Sequence, residues 1–227
     1  MLLGRYLFLL FSFIAILFFS GCVNTPAEIE TDAPYQDYKI WGEEGKDVTC
    51  LFQFLYGRHN GKTLSLTDGA NIRLDNKIIA GDSAKITGAY YEVRKPIDSF
   101  VGRHQIVFTS PSKKIYREDF DFKPFYLTEK IPSHVSRGDL IIRVEGLNQS
   151  DSLRVVATDT AFHSNGINEP VAVKNGLLII TRALMSNIVD GPITLQLYKE
   201  TEKPLKKGAH GRIAVTYGLQ RQFLLEE

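Results

Sequence analysis

The sequence predicts an all-β protein built as two small β-sandwiches in tandem. Two observations carry this. Short runs of alternating apolar and polar residues recur along the chain, broken by Gly, Asn, Asp, Ser and Pro. The 227 residues also hold 14 Phe and 10 Tyr against 2 Met, a bias toward side chains that pack on a pleated surface.

The N-terminus has a different grammar. Arg5 opens an apolar run from Tyr6 to Phe19, interrupted only by Ser12, and Phe19-Ser20-Gly21-Cys22 closes it. The run has the length of a signal-peptide core, whereas a spanning helix needs about 20 apolar residues. These residues resemble the bacterial lipoprotein signal, whose pattern is an apolar residue, two small residues and Cys. The resemblance implies removal of residues 1–21 and lipid attachment at Cys22. Val23 stands where an inner-membrane retention signal would have Asp, so the implied address is the outer membrane. Residues 22–46 then read as a lipidated, flexible tether. They contain Pro26 and Pro34, and six acids against Lys39 and Lys46. Tyr35, Tyr38, Ile40 and Trp41 within it are candidates for an edge strand docked on the first domain.

Residues 47–129 form the first expected sandwich. Its runs are Val48–Tyr56, Thr63–Leu66, Ala70–Leu74, Lys77–Ala80, Lys85–Arg94, Arg103–Thr109, Lys114–Arg117 and Phe120–Leu127. Asp75-Asn76 suits a tight turn, since both residues tolerate positive φ. Glu129 to Ser133, with Pro132, marks the junction. Residues 130–227 form the second sandwich, with runs Asp139–Glu145, Ser152–Thr158, Val171–Val173, Leu177–Arg182, Ile193–Lys199, Arg212–Tyr217 and Leu219–Leu225. Ala183–Ile188 suits one helical turn, and Gly218 suits a β-bulge. Each half has the length and strand number of an immunoglobulin-like (Ig-like) unit.

Chemistry-bearing motifs are sparse. Lys and Arg total 27 against 26 Asp and Glu, a balance that argues against nucleic acid as a partner. Tyr56 to Thr63 approaches a phosphate-binding loop, but Tyr56 occupies the position that needs Gly, so a hairpin turn is expected. His59, His104, His134, His163 and His210 lack metal-ligand spacing, and no cofactor or metal is expected. Asp119 and Asp121 share a strand face that offers oxygens to Ca²⁺, though a charged edge strand is the plainer reading. Arg137-Gly138-Asp139 spells a recognition tripeptide and reads as a turn before a strand. With Cys22 lipidated, Cys50 has no partner and reads as a small buried hydrophobe. Two loops remain as ligand candidates: Asp159–Pro170, with Asp159, His163 and Asn165, and the basic Thr201–Gly211, with Lys203, Lys206 and Lys207.

The layout resembles Bacteroidetes-type outer-membrane lipoproteins with tandem Ig-like domains. That resemblance also implies O-glycan acceptors at Ser83, Ser152 and Thr160, each preceded by Asp. The expected function is a non-catalytic binding or scaffolding role in the cell envelope. It would be anchored to the membrane through Cys22 and would face a protein or glycan partner. The alternatives are a glycan-binding module for polysaccharide capture and a pilus- or adhesin-type subunit assembled by strand donation.

Overall fold

The computed structural model describes residues 27–28, 34–84, 87–161 and 163–227. The expected signal segment and Cys22 lie outside the described residues. The described chain is almost entirely β. Its strands begin with β1 (Ala27–Glu28), β2 (Tyr35–Glu43), β3 (Asp47–Leu55), β4 (Leu64–Ser65), β5 (Asn71–Leu74) and β6 (Lys77–Ile78). Then follow β7 (Gly81–Ala84), β8 (Gly88–Pro96), β9 (Gly102–Thr109) and β10 (Ile115–Phe122). The second half contributes β11 (Tyr126–Leu127), β12 (His134–Ser136), β13 (Leu140–Glu145), β14 (Ser152–Thr158), β15 (Ile167–Lys174) and β16 (Leu177–Ile180). After the helical turn α1 (Arg182–Met185) come β17 (Gly191–Pro204) and β18 (His210–Glu226).

In the first half, β2-β3-β8-β7 form one layer and β10-β9-β5-β6 the other. Lettered in chain order, these are strands A, B, E and D facing G, F, C and C′, which is the immunoglobulin arrangement. Inward residues alternate along each strand and build an aromatic core. Tyr38 meets Phe52 edge-on at 5.3 Å, and Phe54 meets Phe108 at 4.6 Å. Each such ring, fully buried, contributes about 1.5–3 kcal/mol. The expected turn forms, with Asp75 at φ 50° and Asn76 at φ 67°. Cys50 is fully buried, and desolvation pushes its thiol up to about 12.

In the second half, β12-β18-β17-β14-β15 lie on one layer and β11-β13-β16 on the other, with the end of β15 joining β16. This again is an Ig-like order, with β12 running parallel to the last strand. Thr181 caps α1 by accepting from the Leu184 N–H at 3.4 Å.

Several sequence expectations change. The Asp159–Pro170 loop is shorter than expected, because β15 begins at Ile167. The segment expected as tether contains a central strand: β2 pairs antiparallel with β3 and in parallel with β18 over its whole length. Its inward residues Gln36, Tyr38 and Ile40 are almost fully buried, and its outward Asp37 is covered by Arg212. The Thr201–Gly211 loop is shorter than expected, because β17 runs on to Pro204 and β18 starts at His210. Gly218 makes no bulge, since the β17–β18 register passes through it unbroken. Its missing side chain seats the Tyr198 ring, and a Cβ there would lie 2.4 Å from Tyr198 Cδ1. Finally, the chain crosses between sandwiches at Lys123-Pro124-Phe125, ahead of the expected boundary at 130, because β11 already pairs with β13.

Consequently β17 and β18 form a long hairpin arm. Its base belongs to the second sandwich, and its tip extends the A-strand edge of the first. Ile213 and Tyr217 on the arm are buried. Tyr217 packs edge-on against Phe122 at 6.1 Å and Phe125 at 5.3 Å, which fills the joint with aromatic rings. Gly146, at φ +85°, lets the crossing segment pack closely: a Cβ there would lie 2.7 Å from the Pro124 carbonyl oxygen. Gly146→Ala is therefore expected to destabilise the protein by about 1–3 kcal/mol, through strain at a left-handed position plus this clash. A lowered urea midpoint checks it, and an unchanged midpoint contradicts the close packing of the joint.

Candidate functional site

The basic arm tip and the acidic stretch of β10 meet each other. Lys203 Nζ stands 2.8 Å from Glu118 Oε1 as an ion pair. The Lys206 N–H donates to Glu118 Oε2 at 2.9 Å, and the Lys206 ammonium bonds Asp119. Lys203 also donates to the Asp119 carbonyl at 3.1 Å. The Lys206 ammonium, helped by the Gln105 amide, holds the Asp119 carboxyl down to about 2. Glu118 is buried on the same face as Tyr116, Phe120 and Phe122, and burial with the Glu118 charge pushes the Tyr38 phenol well up. The arm tip thereby closes the gap between the A and G strands of the first sandwich.

A second charge cluster holds the same joint from the outer face. Arg212 Nε donates to Asp37 Oδ1 at 2.8 Å, and its NH1 donates to Glu202 at 3.0 Å. Lys39 stands 3.1 Å from the other Asp37 oxygen. The Asp37 side chain is only 5% exposed, so these partners stand in for solvent around its carboxylate. Two of the three candidate lysines are thus engaged within the chain, while Lys207 is exposed at the tip. Asp121 turns to Lys123 at 3.6 Å. Among the described residues no group of three His, Cys, Asp or Glu side chains could hold a metal ion.

The Asp159 loop is also internally bonded. Asp159 Oδ1 accepts the Ala161 N–H at 2.8 Å, and Oδ2 accepts the Val189 N–H at 2.7 Å. Desolvation opposes ionisation there, but the Ser164 hydroxyl and these N–H groups outweigh it, leaving the carboxyl below its ordinary range. His163 and Asn165 are exposed on the same loop. The tripeptide arginine, Arg137, donates to the Met185 and Ile188 carbonyls and pairs with Asp190. Asp139 accepts the Arg182 N–H at 2.7 Å, so both charged ends of the tripeptide organise α1.

Sequence reasoning missed a buried histidine network. His104 Nε2 donates to the Phe100 carbonyl at 2.8 Å, and its Nδ1 faces Asp75 Oδ2 at 2.7 Å. The ring stacks on Phe100 at 3.9 Å. It borders a cleft of about 440 Å³ walled by Leu74, Ile78, Ile79 and Val93. Both ring nitrogens are occupied, so His104 offers this cleft neither a base nor a metal ligand.

The sheet that spans both sandwiches also has a solvent-facing outer side. Trp41, 39% exposed, projects there from β2, in register with Thr216 of β18 and Thr49 of β3. Tyr198 of β17 projects from the same face over Gly218. Gln196 and Gln220 bond each other beside it at 3.4 Å. In the sequence Trp41 stands only as one apolar member of the candidate edge strand with Tyr35, Tyr38 and Ile40. Its pairing with Tyr198 requires the parallel β2–β18 register, which no local pattern signals.

Together the two sandwiches define the class of the molecule: an all-β protein of two Ig-like units fused through one sheet. No family model and no curated protein sequence matches the chain. Among solved structures it is similar to fibronectin(III)-like modules of CbhA from Clostridium thermocellum. The identity is 11%, the match covers 83% of this chain and 92% of that one, and the TM-score is 0.21. It is also similar to DIP-gamma IG1+IG2, at 9% identity, 86% and 98% coverage and a TM-score of 0.25. At these scores neither likeness informs what this chain does.

Two predictions follow the charges. Removing Arg212 strands the Asp37 carboxylate with only Lys39, so Arg212→Ala should cost about 3 kcal/mol in chemical denaturation. A loss within measurement error contradicts that account. Asp119 titrates below its unfolded value of about 3.9, so its stabilising contribution is complete above that pH and is lost as pH falls toward 2. Lys206→Ala should move the Asp119 titration, followed by NMR, back up toward the ordinary carboxylate range.

Proposed function

We propose that this chain is a lipid-anchored envelope protein with a non-catalytic binding role. Cys22 is its anchor, the outer membrane is its site, and the fused pair of Ig-like sandwiches is its binding body. The observation that carries the binding role is the hairpin arm, which joins the two small units through one continuous sheet with a solvent-facing outer side. Support for a non-catalytic role comes from the polar clusters. Glu118, Asp119, Asp37, Asp159 and His104 are each engaged in holding loops or joints. The anchor reading rests on Phe19-Ser20-Gly21-Cys22 at the end of an apolar run. Among the described residues no helix is long and apolar enough to cross a membrane.

Strand donation is the less favoured reading. In the first sandwich β2 and β10 fill the first and last strand positions, and the arm covers the edges of both.

Metabolic labelling with a palmitate analogue tests the anchor. The wild-type chain should carry label and sediment with membranes, and Cys22→Ala should lose both properties. Label that persists in Cys22→Ala contradicts the reading.

A further inference from the structure

We infer that the outer face of the shared sheet is a binding platform for a neutral polysaccharide, with Trp41 and Tyr198 as its two stacking rings. This deepens the binding role proposed above and rests on it.

The two rings stand on strands that flank β18. Trp41 pairs with Thr216, and Tyr198 pairs with Gly218, two positions further along the same strand. Strand spacing and rise then put their Cα atoms about 12 Å apart on one face. The Tyr198 ring lies over Gly218, as the 2.4 Å approach to a Cβ placed there requires. Between the rings the floor is Thr216 and Gly218 of β18, with Glu43 of β2 beside Gly218, so no bulky apolar side chain separates them. Apolar C–H faces of sugar rings suit such aromatic surfaces, while their hydroxyls need amides and carboxylates at the side. Gln196 and Gln220 flank Tyr198, and Glu200 lies in register with Thr216.

Charge complementarity selects an uncharged partner. Arg154 pairs with Glu200 at 2.8 Å, Arg94 with Glu92 at 2.9 Å, and Lys39 with Asp37 at 3.1 Å. Glu43 is bonded by Lys46. The charges around the rings are therefore cancelled within the face. An anionic polymer or a charged protein surface would have to break those pairs to gain its own.

The site also depends on the arm. Trp41 belongs to the first sandwich and Tyr198 to the second, so only the parallel β2–β18 ladder sets their spacing.

The sequence contains a single Trp, so tryptophan emission of the whole protein reports on Trp41 alone. The test uses the detergent-solubilised full chain with soluble xylan, glucomannan, dextran and mixed-linkage glucan, and heparin as the anionic counterpart. The expected result is a saturable change of emission with at least one neutral polymer, and matching retardation in affinity gels. Tyr198→Ala should weaken that binding about tenfold, and Trp41→Ala should abolish retardation, with melting temperatures near wild type. No response to any neutral polymer overturns the inference. So does binding to heparin alone, or retardation that survives both substitutions. Lipid label at Cys22 is read separately, so a glycan failure leaves the anchor reading standing.

Discussion

The parallel pairing of β2 with β18 is the constraint on which the rest of the molecule depends. A strand from the start of the described chain and one from its end lie side by side from Tyr35↔His210 to Glu43↔Gly218. Without that ladder the first sandwich would expose the backbone edge of its A strand, a liability for unintended pairing. The arm tip would likewise present charged side chains with nothing to bind. With it, each side satisfies the other. Arg212 neutralises a buried Asp37, Lys203 and Lys206 neutralise Glu118 and Asp119, and Tyr217 fills the aromatic joint with Phe122 and Phe125. Short connections between Ig-like units usually permit relative motion. Here the hydrogen-bonded sheet runs through the boundary and removes that freedom.

Most strands were legible because their alternation is local. Ser152–Thr158 appears as expected, and Asp139–Glu145 and Arg103–Thr109 are each within one residue of the observed strand. The Asp75-Asn76 turn was readable because positive φ restricts which residues tolerate it. The joint was not legible, and the reasons are specific. On β2, Asp37 and Lys39 face outward and one inward position is the polar Gln36, so the acid-rich segment resembled a tether. On β10, the inward position between Tyr116 and Phe120 is Glu118, which split one strand into two expected runs. Its partners are lysines on an arm far away in sequence. The arm tip itself lacks an apolar period because Lys203 faces a carboxylate where a core residue would normally stand. In each case the compensating charge is remote in the chain, and local pattern carries no trace of it.

The same geometry reassigns the polar residues singled out by the sequence. The basic loop and the acidic cluster, read separately, suggested a ligand and a cation. Brought together, they are one clasp. The exposed aromatics follow the opposite course. Trp41 and Tyr198 have no sequence relationship, yet the ladder sets them on one open face. Around them the exposed charges of that face are paired with one another.

Amide hydrogen exchange along β2 and the facing half of β18 tests the central claim most directly. If the ladder is the structural joint, amides of residues 35–43 and 210–218 that point into it exchange only on global unfolding, as slowly as those of β3 and β14. Rapid exchange there, with the two sandwich cores still protected, would mean that the arm does not hold the units together and would contradict the account.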